Sequence, residues 1–274
     1  MESVASSLAE FVHLDGTKVT EKIIGIGGTN IVIEDGIYAI KLPRLSRFFD
    51  PDGVSVLIDQ SRAPGEGDHD YHSDLINALD NEKAIYRRIG PHIGVTPCYN
   101  LSSTEPSVQM LRMGQNLQQH LKDNRPDRKK QLAWSTQLAE ALAHIHSRGV
   151  IVADVNPSNI VLDDDSNVRF IDFSESTLMA LDWDLKSPDE HGYSILSDIG
   201  QLGAVIFLIV TGRPCKFTLE DAQDSCEPVT WPQRNSLPET ANVWLGALIE
   251  KCWTKGFRTT GALAAALRHV EVVQ

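Results

Sequence analysis

Apolar and polar residues recur with two different periods along this chain, and the change of period sorts it into strands and helices. Between residues 22 and 42, two β-rich runs flank Asp35-Gly36, a dipeptide that favours the type I′ turn of a tight hairpin. Residues 95–100 and 107–113 read as two further strands on either side of a Ser-Ser-Thr-Glu-Pro turn, which predicts a five-stranded antiparallel sheet. From Ser73, a candidate N-cap, the apolar positions Leu75, Ile76, Leu79, Ile85, Tyr86 and Ile89 follow roughly one helical face. Residues 43–72 are rich in Pro, Gly, Asp and Ser and predict a long loop. Farther on, Leu132, Leu138, Ala139, Leu142 and Ile145 predict a helix over residues 131–147 that ends near Gly149. The runs at 160–162 and 168–171 read as the strands of another hairpin.

Composition narrows the class. A chain of 274 residues with 42% apolar content buries a large core as one two-lobed domain or two small ones. The formal charge of −12 argues against a nucleic-acid surface and against an anionic membrane, and a basic peptide or protein suits it better as a partner. Cys98, Cys215, Cys226 and Cys252 form no CxxC pair and read as free thiols of a reducing compartment. The first residues show no basic run followed by an apolar one, and the longest apolar run, 204–210, is too short to cross a bilayer. These features predict an intracellular protein of cytoplasm or nucleus.

Candidate chemistry concentrates in residues 149–175, where Asp154, Asn159 and Asp172 flank the second hairpin. A carboxylate to orient a hydroxyl, with an amide and a second carboxylate to hold magnesium, is what phosphoryl transfer needs. An acidic loop of turn residues is the plainer reading, and it suffices for Asp163-Asp164-Asp165. Gly25, Gly27 and Gly28 precede the first hairpin; they allow a close approach to phosphate oxygens, although plain turn chemistry explains most such clusters. His144 and His146 are two apart on a helix and point to different sides, so they read as core or surface histidines rather than a metal pair.

These residues, in this order, resemble the eukaryotic protein kinase family. Asp154-Val-Asn-Pro-Ser-Asn159 is similar to its catalytic loop, Asp172-Phe-Ser174 to its Asp-Phe-Gly, and Tyr38-Ala-Ile-Lys41 to its Val-Ala-Ile-Lys. Ser187-Pro-Asp-Glu190 resembles Ala-Pro-Glu, residues 197–212 resemble the buried helix opened by an aspartate, here Asp198, and residues 252–260 resemble the Cys-Trp and Arg-Pro-Thr element. The likeness spans about residues 25–267. It implies an α+β, bilobal kinase fold: a small five-stranded antiparallel lobe with one main helix over about 20–113, including a 43–72 loop, and a larger, mainly helical lobe over about 114–274, together one domain.

The resemblance also assigns roles. Asp154 would orient the acceptor, Lys41 would contact the α and β phosphates, and Glu82 would hold Lys41, with Glu66 in the loop the weaker candidate. Lys41 is expected to be exposed in a cleft, so that its loss leaves the fold intact. ATP would lie against Gly25, Ile26, Gly27 and Gly28, between Val32, Ala39 and Leu162, with Met110 as gatekeeper and Leu111 to Met113 as hinge. Asn159 and Asp172 would hold magnesium. Asn30 stands in place of the third glycine, as a residue that tolerates left-handed backbone, and Leu111 stands where an acidic residue is common. Arg258 would pair with Glu190.

Three departures touch the chemistry: Val152-Ala153 replaces His-Arg, Asn156 replaces a lysine that meets the transferring phosphate, and Ser174 replaces glycine. With Lys41, Glu82, Asp154, Asn159 and Asp172 all present, the expectation is an active or weakly active kinase of serine or threonine in a protein substrate. A nucleotide-binding pseudokinase scaffold and a phosphotransferase acting on a small alcohol or antibiotic are the alternatives. With Ala153 in place of arginine, activity is expected not to depend on phosphorylation of Ser174, Ser176, Thr177 or Ser187. Packing of Leu178, Leu181 and Trp183 would hold that segment, unless Arg169 substitutes as a phosphate partner.

Overall fold

The structure is a computed structural model, and it describes residues 8–65, 67, 69–219 and 230–272. The chain divides into two compact units, residues 1–84 with 97–112 and residues 85–96 with 113–274.

Two antiparallel sheets build the first unit. Its strands are β1 (Ala9–Val12), β2 (Ile23–Ile26), β3 (Asn30–Asp35), β4 (Tyr38–Pro43), β5 (Leu45–Phe49) and β6 (Val56–Asp59); helix α1 (Tyr71–Ile89) and strand β7 (Val108–Leu111) follow. One sheet runs β2-β3-β4-β7. The fifth strand expected at 95–100 reduces to two isolated bridges, Cys98 with Met110 and, within the second unit, Val95 with Phe170. The β3–β4 turn is Gly36-Ile37, with Asp35 paired to Tyr38. Gly36 has φ +58° while Ile37 is not left-handed, so the turn has the type II′ pattern rather than the expected type I′.

The second sheet, β1-β5-β6, replaces the loop expected over 43–72. Its inner face is apolar: Val12, Leu45 and Leu75 form one buried cluster. Arg47 then ties three strands together, reaching Glu10 of β1 at 3.3 Å and Asp59 of β6 at 3.2 Å, with the Gly16 carbonyl at 2.7 Å. The turn residues that suggested a loop sit at the β5–β6 connection, where the Asp50 carboxylate accepts from the N–H groups of Val54 and Ser55. Helix α1 starts two residues before Ser73, because Asp70 takes the capping role and accepts the Ser73 N–H at 3.1 Å.

The second unit is mainly helical. It contains α2 (Leu117–Asp123), α3 (Arg128–Ser147), β8 (Val150–Ile151), β9 (Ile160–Leu162), β10 (Val168–Phe170), β11 (Thr177–Leu178), α4 (Ile195–Thr211), α5 (Gly246–Trp253) and α6 (Thr260–Arg268). Asn116 and Asp127 cap α2 and α3 as hydrogen-bond acceptors. Helix α4 is apolar nearly all round and correspondingly buried; Ser194 and Ser197 form its capping box and left-handed Gly212 ends it. Two of its glycines are there for close packing: a Cβ on Gly200 would lie 2.4 Å from the Phe217 ring, and one on Gly203 would lie 2.7 Å from Cys252. The class is therefore α+β, as expected. Among the described residues no helix is long and apolar enough to cross a membrane.

Candidate active site

In the first unit the candidate residues gather on the β2-β3-β4-β7 sheet and on α1. Lys41 is paired with Val32 on one side and Val108 on the other. Its Nζ meets Glu82 Oε2 at 2.7 Å. Both side chains are buried, 2% and 1% exposed, which corrects the expectation of an exposed lysine. A charge pair taken out of water this completely persists only if each partner satisfies the other. Glu66, the other candidate, lies outside the described residues.

Of the three turn glycines, one would be crowded by a side chain. A Cβ on Gly27 would come within 2.9 Å of Asn30 Oδ1, whereas Gly28 has open space around it and Gly25 only ordinary contact with Val32. Asn30 does not use left-handed backbone; it is the buried first residue of β3, and its carbonyl accepts the Gly27 N–H at 2.8 Å. Arg44, which sequence reasoning passed over, donates to the Gly27 carbonyl at 2.9 Å and braces the turn from behind. Ile26 is exposed, and Val32 and Ala39 are half-buried. Met110 is buried, pairs with Ala39 across β4–β7, and bridges Cys98. Leu111 pairs with Tyr38 and its N–H goes to the Pro97 carbonyl. Burial, with the Glu82 charge adding to it, pushes the Cys98 thiol up to about 11, so it stays protonated at neutral pH.

In the second unit the catalytic-loop candidates hang from α4. Asp198 is fully buried, and its carboxylate accepts from the Val152 and Ala153 N–H groups at 2.8 and 2.9 Å. One helical turn on, Gln201 accepts from the Val155 N–H and donates to the Ala153 carbonyl. These two side chains fix the backbone on both sides of Asp154, and Ala153 takes φ +63° between them. Asp154 itself is half-buried, and Asn159 Nδ2 donates to its Oδ2 at 2.8 Å. Asn156, in place of lysine, caps the turn Pro157–Asn159 by accepting from the Ser158 and Asn159 N–H groups.

Beyond the β9–β10 hairpin, the Ile171 N–H returns to the Asn159 carbonyl at 3.0 Å, which brings the two metal-ligand candidates onto adjacent backbone. Asp172 has φ +61°, and Ser174 donates to its Oδ1 from both N–H and Oγ. The serine in place of glycine thus closes an Asx-type turn over the carboxylate. Phe173 is buried edge-on against Tyr86, ring centroids 5.0 Å apart. Leu162 is buried, and its carbonyl accepts the Gly114 N–H just after Met113. A pocket of about 1100 Å³ opens beside Asp154, lined among others by Lys122, Asn156, Glu175, Gln201 and Lys216.

Gln201 escaped the sequence reading, although Asp198 and Gln201 stand three apart on one helical face, a legible signal. His146 also serves this support: it meets Asp198 Oδ2 at 2.8 Å and Thr260 Oγ1 at 2.7 Å. Arg258, by contrast, is exposed, and Glu190, 81% exposed, meets only the neighbouring His191 among the described ion pairs, so their expected pairing does not form. Arg169 is engaged by Asp163 at 2.9 Å. Among the described residues no three His, Cys, Asp or Glu side chains group as a metal cage. The described cysteines are all free; Cys226 lies outside them.

Residues 68–259 match the family described as protein kinase domain. The chain is 28% identical over 100 residues to the serine/threonine-protein kinase PDK1 of Cryptococcus neoformans, an alignment covering 30% of this chain and 8% of that protein. It is 36% identical over 94 residues to the serine/threonine-protein kinase RUNKEL of Arabidopsis thaliana, covering 28% and 7%. Over 129 residues it is 27% identical to the CTD kinase subunit alpha of Schizosaccharomyces pombe, covering 38% and 22%. The chain spans a minor part of the length of these relatives. The family match begins after β6, so Lys41 lies outside it.

Proposed function

Because this chain belongs to the protein kinase family, we propose that it is an ATP-dependent protein kinase, acting on serine or threonine hydroxyls, with residues 1–274 forming one kinase domain. The observation that carries the proposal is the buried Lys41–Glu82 pair, since it would supply the phosphate-directed cation from a part of the chain outside the matched stretch. Lys41 would draw the α and β phosphates while Glu82 fixes its direction. Gly28, with open space about it, and Gly25, Ile26 and Gly27 would pass over the phosphates. Val32, Ala39, Met110 and Leu162 would offer apolar side chains for adenine, and the backbones of Leu111 and Met113 would offer its hydrogen bonds.

Asp154 would accept the proton of the acceptor hydroxyl as its oxygen attacks the γ-phosphorus; the bond to the bridging oxygen breaks and ADP leaves. Asn159 keeps the Asp154 carboxylate aimed by its 2.8 Å hydrogen bond. The oxygen donors of Asn159 and Asp172 suit magnesium, a hard cation that takes few protein carboxylates and completes its shell with phosphate and water. Magnesium held there would neutralise charge on the phosphates.

Val152 apart, two of the departures that favoured a pseudokinase scaffold have structural duties here: Asn156 caps a turn and Ser174 closes another over the Asp172 carboxylate. The acceptor would enter by the pocket beside Asp154, whose rim mixes Lys122 and Lys216 with Glu175, so the −12 of the whole chain does not decide its charge. The test is incubation with radiolabelled ATP, magnesium and mixed protein acceptors, followed by phosphosite mapping. Label on serine or threonine that disappears with Asp154→Asn supports the proposal. Tight nucleotide binding without transfer points to the scaffold, and transfer only to small alcohols to the other phosphotransferase class.

A further inference from the structure

The pocket beside Asp154 is built wholly within the second unit. Asp154 apart, its charged lining among the described residues is Lys122, Arg125, Lys216 and Glu175, with His191 beside them. The three cations are exposed and come from two stretches distant along the chain, the end of α2 and the residues just after α4. Arg125 marks where those stretches meet. It lies against Gly212, where a Cβ would come within 2.6 Å of its Nε, and the Leu121 and Asn124 carbonyls accept from its Nη1. Among the described residues none of the three cations pairs with a carboxylate. In a chain of net charge −12, like positive charges lining one cavity run against the composition and are relieved only by an anion brought from outside.

We propose that this pocket selects acceptors with carboxylate side chains near the serine or threonine, an acidic peptide segment rather than the basic one that the net charge suggested. This rests on the kinase reading of Asp154. Asp154 takes the acceptor hydroxyl, while Lys122, Arg125 and Lys216 take the neighbouring carboxylates. A guanidinium already held by two carbonyls loses little freedom in meeting a carboxylate. A basic acceptor brings like charges together at the same place and is rejected. The rest of the chain limits the size of the anion. Its net charge repels an extended polyanion such as nucleic acid or an anionic membrane, whereas a short acidic segment fits a cavity of about 1100 Å³ and stays within the local cationic field. Glu175 opposes this preference, but it belongs to the stretch after Asp172 and not to either cationic stretch.

Titration of the full chain against fluorescein-labelled peptides, with binding read by anisotropy, tests this. The peptides share a central serine and differ only in its flanks, either Asp and Glu or Lys and Arg. The acidic peptide is expected to bind at least about tenfold tighter than the basic one, with the preference fading as salt is raised. Lys122→Glu combined with Lys216→Glu is expected to reverse that order at an unchanged melting temperature, since both side chains are exposed. Equal binding of the two peptides, tighter binding of the basic one, or indifference to the double substitution overturns the proposal. Transfer of labelled phosphate to the same peptides separates it from the kinase reading. An acidic peptide that binds as expected but is never phosphorylated supports the preference of the pocket and counts against the kinase. Phosphorylation of both peptides with equal kcat/KM overturns the preference and leaves the kinase standing.

Discussion

The two units hold their proposed catalytic side chains in opposite ways. In the first, the proposed groups are themselves the buried ones: Lys41 and Glu82 are shielded from water and face each other at 2.7 Å. In the second, Asp154 stays half-buried while its supports, Asp198 and His146, are buried beneath it. Stability and chemistry thus fall on the same atoms in one unit and on different atoms in the other. A substitution in the first is expected to injure both; in the second the two injuries separate.

The largest effect follows from the first half of that contrast. Lys41→Met takes the 2.7 Å partner from the buried Glu82 carboxylate, and breaking a buried pair from one side costs about 3–5 kcal/mol. Replacing both partners, Lys41→Met with Glu82→Leu, is expected to recover most of that loss, while neither protein transfers phosphate. Denaturant unfolding of the two variants measures it. A single variant as stable as the parent would erase the distinction between the units.

The second half predicts a clean separation. Asp154→Asn is expected to cut turnover by about 10²–10⁴-fold, the usual worth of a positioned general base, with stability shifted by no more than about 0.5 kcal/mol. Asp198→Ala should do the reverse in order of cause. It leaves the Val152 and Ala153 N–H groups without their acceptor, about 1–3 kcal/mol for each buried orphan, and activity falls only because the loop is no longer held. Paired melting curves and initial rates decide; a strongly destabilised Asp154→Asn protein would contradict the division. In nucleotide binding, Asp172→Ala is expected to lose magnesium-dependent affinity and Asp154→Ala to keep most of it, which calorimetry with and without magnesium reads directly.

A smaller trade is expected at Asn156. Its side chain caps the Pro157–Asn159 turn, so Asn156→Lys gives up a cap worth about 1 kcal/mol while adding a cation beside Asp154. Lower melting temperature with raised turnover is the expected pair of outcomes. Raised turnover without a stability cost would mean the cap contributes nothing.

Legibility in the sequence followed the range of the interactions. The β9–β10 hairpin, α1, α3 and α4 rest on local periodicity and local caps, and the sequence reading placed them within a few residues. Periodicity places Glu82 on a helix, but only the resemblance points it to Lys41, which it meets at 2.7 Å. The β1-β5-β6 sheet was missed because it joins strands distant along the chain, and because the turn residues around Asp50 masked the strands they connect. Asn156 reads as a loss and Asn30 as a residue tolerant of left-handed backbone, because a motif registers which residue is replaced, not the hydrogen bonds the replacement makes. Leu181 and Trp183 were expected to pack because they are apolar, yet they are 77% and 47% exposed. Apolar type alone does not say which side of a loop faces the core.

That last correction bears on the smallest expected effect, the response to phosphorylation. The segment after Asp172 is held by other means than Leu181 and Trp183. Thr177 and Leu178 pair with Ile151 and Val150, the Met179 N–H bonds the Gly149 carbonyl, and Leu185 and Tyr193 pack on Ile151, Ala153 and Met179. Ser176 is buried with its hydroxyl on the Val152 carbonyl, and Thr177 Oγ1 donates to Asp189, so neither hydroxyl is presented to solvent in this state. A phosphate there would need a cation, and two candidates are engaged elsewhere: Arg169 binds Asp163, and Arg88 lies against the Arg148 and Met179 carbonyls. A segment that is already ordered gains little from added charge. Phosphatase treatment is therefore expected to leave the turnover of the purified protein unchanged, as is Ser187→Ala at the exposed end of the segment. A large drop on dephosphorylation, reversed by rephosphorylating one of Ser174, Ser176, Thr177 or Ser187, would show that Arg88 or Arg169 can be drawn off its present partner.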